Sequence, residues 1–218
     1  MRSLLLMTML TMSLANAAWR DYTEVRELQL DADGISSFTL DVGAGKLDIQ
    51  GVSGSDRILV TATISVDDDD DDARTAIEKY MTLTLEGDGD SAMLLARFDD
   101  GVLGMGPDAS IDLEVQVPEG TAVRIDDSSG SIDVSGVNAD VFIDDGSGSI
   151  EVTRAGAVEV HDGSGSIDIN YANGDERVDD GYGSISVTNV KGSVYIDDGS
   201  GSIKVNVVEQ DLVIIGDG

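Results

Sequence analysis

The chain has 218 residues, with 43 Asp+Glu against 13 Lys+Arg, 26 glycines and no cysteine. The lack of cysteine excludes a disulfide framework and a lipidated cysteine. So acidic a surface repels phosphate backbones and anionic lipid, which argues against nucleic acid and membrane as partners.

Residues 1–17 read as a secretory signal. Arg2 is the positive start, residues 4–14 are the apolar core, and Ala15-Asn16-Ala17 is an A-x-A cleavage site. That apolar stretch is too short to span a bilayer. The expected product is exported, periplasmic or extracellular, and not inserted in a membrane. Without residues 1–17 the chain keeps 12 Lys+Arg against 43 Asp+Glu, a net charge of −31. This charge favours cationic partners and divalent ions.

Residues 18–36 are a lead-in to a domain covering residues 37–218. Leu40 and Leu47 are seven residues apart around Gly43-Ala44-Gly45, and Ile49, Gly51 and Val52 follow. Residues 37–63 therefore read as one or two atypical opening coils of a repeat that is clearer further on. An insertion follows at about residues 66–110. It begins with six consecutive acids, Asp67 to Asp72, which favour a helix over residues 73–80 by standing at its positive end. Residues 81–86 and 92–98 alternate as strands around Gly87-Asp88-Gly89-Asp90, a hairpin signal. The glycine-rich loop at residues 99–108 carries Val102, Leu103 and Met105. Those side chains are expected to cap one end of the domain, with an exposed partner contact as the alternative. Residues 111–117 form a further strand, and Pro118-Glu119-Gly120 turns the chain into the regular repeats.

The regular repeats occupy residues 125–218. The segment Asp-Asp-(Gly/Ser)-x-Gly-Ser-Ile recurs, and its isoleucines Ile132, Ile150, Ile167, Ile185 and Ile203 stand 18, 17, 18 and 18 residues apart. A step this short and regular means one supersecondary unit stacked on copies of itself. Apolar residues alternate within each run, so the runs are short strands with one buried face. Such strands are stable only when the next copy stacks about 4.8 Å away. The expected fold is all-β, a single-chain β-solenoid with coils of about 18 residues and glycine-serine corners. Core positions would include Ile132, Val134, Val141, Ile143, Ile150, Val152, Val158, Val160, Ile167, Ile169, Ile185, Val187, Val194, Ile196, Ile203 and Val205.

Val115 to Gly120 (Val-Gln-Val-Pro-Glu-Gly), followed by the tandem Asp-Asp-Gly-Ser-Gly-Ser-Ile units, resembles the bacterial "putative adhesin" domains of unknown function, relatives of adhesin-head β-helix domains. The resemblance covers residues 37–218. It implies a β-helix and an adhesin-like role. It supplies no catalytic or ligand residues to carry over.

The paired acids are the candidates for chemistry. The second acids, Asp127, Asp145, Asp162, Asp180 and Asp198, stack in one file. Carboxylate and carbonyl oxygens at stacked corners are what calcium takes as ligands. The simpler account is an Asx-turn in every coil, the second acid accepting backbone N–H groups of its own corner while the first faces solvent. Calcium is therefore the alternative to corner capping, and no other cofactor is implied. His161, the one histidine, replaces a first acid and reads as an exposed variant of the repeat. The Gly-x-Gly-Ser corners lack the Lys-Ser/Thr and helix start of a phosphate loop. No pair of acids is distinguished from the others as glycosidase chemistry requires. The expectation is a non-catalytic exported binding or scaffold protein of the envelope, presenting side chains to a protein or a glycan. The alternatives are a calcium-stabilised structural solenoid and, more remotely, a polysaccharide-cleaving β-helix enzyme.

Overall fold

The structure is a computed structural model and describes residues 21–99 and 108–216. The proposed signal (residues 1–17) and the loop side chains Val102, Leu103 and Met105 lie outside the described residues.

The architecture is all-β with one short helix. In chain order the elements are β1 (Asp21–Asp31), β2 (Ser37–Val52), β3 (Arg57–Asp67), α1 (Asp70–Tyr80), β4 (Met81–Asp88), β5 (Ser91–Phe98), β6 (Ala109–Pro118) and β7 (Ala122–Ser135). Then come β8 (Val141–Asp145), β9 (Gly148–Ala155), β10 (Val158–Asp162), β11 (Gly165–Ala172), β12 (Glu176–Asp180), β13 (Gly183–Val190), β14 (Val194–Asp198), β15 (Gly201–Val208) and β16 (Leu212–Gly216). All 16 strands belong to one open sheet of mixed parallel and antiparallel pairings.

From β7 onward the pairing is parallel and follows the repeat. A first ladder runs β7–β8–β10–β12–β14–β16, and a second runs β7–β9–β11–β13–β15. Ile132 pairs with Ile150, Ile150 with Ile167, Ile167 with Ile185 and Ile185 with Ile203. Each repeat thus contributes one strand to each ladder. The long strands β2 and β7 pass through the corner and contribute to both, which joins the ladders into one sheet.

Alternation decides which side chains are inside. In β8, Val141, Ile143 and Asp145 are buried while Phe142 and Asp144 are not. Burying a Val or Ile side chain stabilises by roughly 1.5–3 kcal/mol, and the same inward positions recur in every repeat. Of the expected core residues, all are buried except Ile203 and Val205, which are only partly buried. Both lie on β15, which is paired on one side only, with β13. The period of the sequence identifies an inward position but not whether another repeat covers it.

Residues 37–63 supply one repeat, in β2, and not two. β3 runs antiparallel to both β1 and β6. The chain leaves the stack after β2 and rejoins it at β7, where Ser37 pairs with Ala122 and Leu47 with Ile132. The intervening segment lies on the other side of β2. There β5 and β6 continue the two ladders in parallel, and β4, β3 and β1 add antiparallel strands beyond them. The hairpin around residues 87–90 is present as β4–β5. The helix begins three residues earlier than expected, because Asp69 caps it by accepting the Asp72 amide at 3.3 Å. The lead-in before Ser37 forms β1, in register with β3 from Asp21–Asp67 to Asp31–Arg57.

Candidate functional site

The corner acids fall into two rows. Asp126, Asp144, His161, Asp179 and Asp197 pair in register on the outer face of the first ladder. Asp127, Asp145, Asp162, Asp180 and Asp198 pair in register on its inner face and are 2–6% exposed. In β2 the same inner position holds Val42, so this is a core row that the repeats fill with a carboxylate.

Four of the five inner acids close their own corners. Asp127 accepts the Ser129 amide at 3.3 Å, Asp145 that of Ser147 at 3.2 Å, Asp162 that of Ser164 at 3.0 Å and Asp180 that of Tyr182 at 3.2 Å. These are the Asx-turns of the simpler account. The Oδ2 atoms of those four acids, and Oδ1 of Asp198, are buried without a partner. Burial, followed by the charge of Asp145, pushes the Asp127 carboxyl up to about 7. Burial, with the charge of Asp162 next, takes Asp180 to about 6. Asp145 and Asp162 are also raised, again chiefly by burial.

A divalent cation needs several oxygens converging on one point. Among the described residues, the three acids whose carboxylate oxygens come that close are Asp68, Asp69 and Asp72, all exposed and at the start of α1. The file from Asp127 to Asp198 is not gathered in this way; it spreads along the stack, one acid per repeat.

The outer face of the first ladder carries a different row. Arg124, Phe142, Glu159, Arg177 and Tyr195 are in register across β7, β8, β10, β12 and β14. The Arg124 guanidinium lies 3.8 Å from the centre of the Phe142 ring, and that of Arg177 lies 4.5 Å from the Tyr195 ring. Such stacking holds a cation and a ring in fixed orientation. Phe142 also meets the His161 ring at 5.6 Å between centres. His161 Nε2 is 3.1 Å from Glu159 Oε1, and its Nδ1 is 3.9 Å from Asp179 Oδ2. The histidine is thus half-buried and held by neighbours, though it occupies the outward position the sequence assigns it. This row lines an open groove of about 700 Å³, together with Asp140, Asp175, Glu176 and Asp211. The sequence reading missed the row, because outward positions vary from repeat to repeat and only the register of the ladder brings them together.

Glu176 was missed too. It occupies an inner position that is Val158 in the repeat before and Val194 in the repeat after. It is 2% exposed, neither of its carboxylate oxygens has a partner, and burial pushes it up to about 8. Aligning the repeats on their valines, and not only on Asp-Asp-Gly, would have found it.

At the last repeat, Leu212, Val213, Ile214 and Ile215 of β16 are all about half exposed. Among the described residues, β16 pairs with β14 alone.

No family model matches the chain, and no curated protein matches it. Among solved structures, a "putative lipid binding protein" from Parabacteroides distasonis is 13% identical over 90% of this chain and 94% of its own, with a TM-score of 0.48. A "putative cell adhesion protein" from Clostridium sporogenes is 12% identical over 89% and 98%, with a TM-score of 0.40. A "putative adhesin" from Parabacteroides distasonis is 13% identical over 89% and 94%, with a TM-score of 0.35. At these scores no property of those proteins transfers to this chain. No helix among the described residues is long and apolar enough to cross a membrane.

Proposed function

We propose that this chain is a non-catalytic, exported binding and scaffold protein, an adhesin-like β-solenoid that presents outward rows of side chains to a protein or glycan of the cell envelope. One observation supports this above the others. Arg124, Phe142, Glu159, Arg177 and Tyr195 stand in a single row along an open groove of about 700 Å³. Strands stacked about 4.8 Å apart present that row at fixed spacing. The paired guanidinium and ring faces are already ordered, so little side-chain freedom is lost when a partner settles on them.

The test is sedimentation of labelled protein (residues 18–218) with purified cell envelopes, beside a variant carrying Arg124→Ser, Phe142→Ser and Tyr195→Ser. These outward substitutions leave the core intact. Saturable binding by the parent chain, weakened at least tenfold in the variant, supports the proposal. Protease or periodate treatment of the envelopes then separates protein from glycan. Equal binding by both chains, or none by either, sinks it.

A second reading, a structural solenoid stabilised by calcium, draws on the buried carboxylate oxygens left without partners along the file from Asp127 to Asp198. Corner capping alone leaves those oxygens unexplained.

A further inference from the structure

Glu176 is a carboxyl side chain in a row of valines. In register with it stand Val123, Val141 and Val158 on one side and Val194 on the other. It is buried, and both of its carboxylate oxygens lack any hydrogen-bond partner. The elements packed against it offer no cation. On β10 the ionisable groups are Glu159 and His161, facing outward, and Asp162, buried at the far end of the strand. On β14 they are Tyr195 and Asp197, facing outward, and the buried Asp198. On β12 itself Arg177 and Asp179 face outward, Asp180 lies four residues further on, and Arg177 is turned onto Tyr195. Asp175, just before β12, accepts the Ser193 amide at 2.8 Å. The inward residues of β11 and β13, in the second ladder, are Ile167, Ile169, Ala172, Ile185, Val187 and Val190, all apolar. A carboxylate anion here would be desolvated with nothing to offset the loss, whereas the neutral acid is only a somewhat polar stand-in for valine.

We propose that Glu176 is a proton-operated latch: as the neutral acid it lets β12 lie between β10 and β14, and on losing its proton it leaves the core and opens that strand. Burial is the only cause that raises this carboxyl, from 4.5 to about 8. The folded pKa is raised, so the latch is fully closed below about pH 4.5 and its hold is lost as pH rises through about 8. Arg177 follows Glu176 in the chain, so opening β12 also separates Arg177 from Tyr195. The latch is a property of the fold and stands whether or not the groove binds a partner.

Amide hydrogen exchange on the whole chain tests this, comparing the parent with Glu176→Val and Glu176→Gln. Protection factors are corrected for the pH dependence of intrinsic exchange. In the parent, protection across β12 should fall by up to about tenfold per pH unit between about pH 5 and 8, then level off. Both variants should show a much shallower profile over the same range, keeping only the slope that Asp180 at the end of β12 contributes, and Val is already the residue of neighbouring repeats. A flat profile in the parent would overturn the latch. So would a variant profile as steep as the parent's, because the dependence would then arise elsewhere.

Discussion

Asp127 and Asp145 are directly paired across β7 and β8 on the inner face of the sheet, each holding its own corner amide with Oδ1 while its Oδ2 is buried without a partner. Two such groups cannot both ionise cheaply at the spacing of adjacent strands. Asp162 and Asp180 extend the same file, and all four carboxyls are raised, Asp180 to about 6 and Asp127 to about 7. A carboxyl raised by folding contributes stability below its unfolded pKa and loses it as pH rises through the folded value. The melting midpoint should therefore be highest near pH 4 and fall steadily towards pH 7. Repulsion within a chain of net charge −30 acts in the same direction. Melts in about 0.5 M salt screen that contribution. Under those conditions Asp145→Asn should make the slope shallower, and an unchanged slope would show that the file does not cause it.

Calcium separates the two accounts of the same file. If the inner acids are corner caps, the midpoint in calcium should match that in magnesium at equal ionic strength, with or without chelator. A saturable rise specific to calcium would mean the partnerless oxygens take a cation, since a ligand that binds only the folded chain must raise its stability. The exposed trio Asp68, Asp69 and Asp72 could mimic this outcome. Repeating the titration on Asp68→Asn/Asp72→Asn assigns the effect to one place or the other.

Much of this fold is legible in the sequence because it repeats. Ile132, Val134 and their equivalents are inward in every repeat, and one period fixes their register. Three things resist the period. β1 and β3 are held by antiparallel pairing at the far end of the stack, where no repeat marks them. Ile203 and Val205 have the pattern of core residues, but burial depends on whether something lies over β15 and not on alternation. Glu176 and the row from Arg124 to Tyr195 are departures from the repeat, and a search for likeness passes over departures. The candidate site is made almost wholly of such departures, so the sequence shows the frame more plainly than the surface it displays.

The corner glycines are required by contact as well as by conformation. Gly148 has φ of 153°, and a Cβ placed there would stand 1.6 Å from the carbonyl oxygen of Gly130 in the preceding repeat. Backbone cannot yield that distance without parting the two repeats. Gly148→Ala should cost on the order of 3–5 kcal/mol, as large as the most damaging core changes. Gly54→Ala is the matched control. Its φ is 72° but nothing lies within 4 Å, so it should cost only about 1 kcal/mol of backbone strain. Urea melts of the two variants measure the difference, and equal losses would mean the stacking contact is not what demands glycine.

One position in each repeat takes left-handed backbone whatever residue occupies it. Gly136 has φ of 71°, and Arg154, Tyr171, Asn189 and Val207 follow at 59°, 62°, 60° and 58°. The conformation belongs to a bend near the end of each second-ladder strand, at the next-to-last residue of β9, β11, β13 and β15, since it survives the loss of glycine. Asparagine tolerates it and a β-branched residue does not. Val207 is 58% exposed, so its side chain gains little from burial to offset the strain. Val207→Asn should therefore stabilise the chain by about 1 kcal/mol, seen as a higher urea midpoint with an unchanged slope. Asn189→Val should lose a similar amount, plus its hydrogen bond to Asn170 Oδ1 at 3.0 Å. If Val207→Asn gives no gain, the bend carries little strain and the recurrence of left-handed backbone reflects chain direction alone.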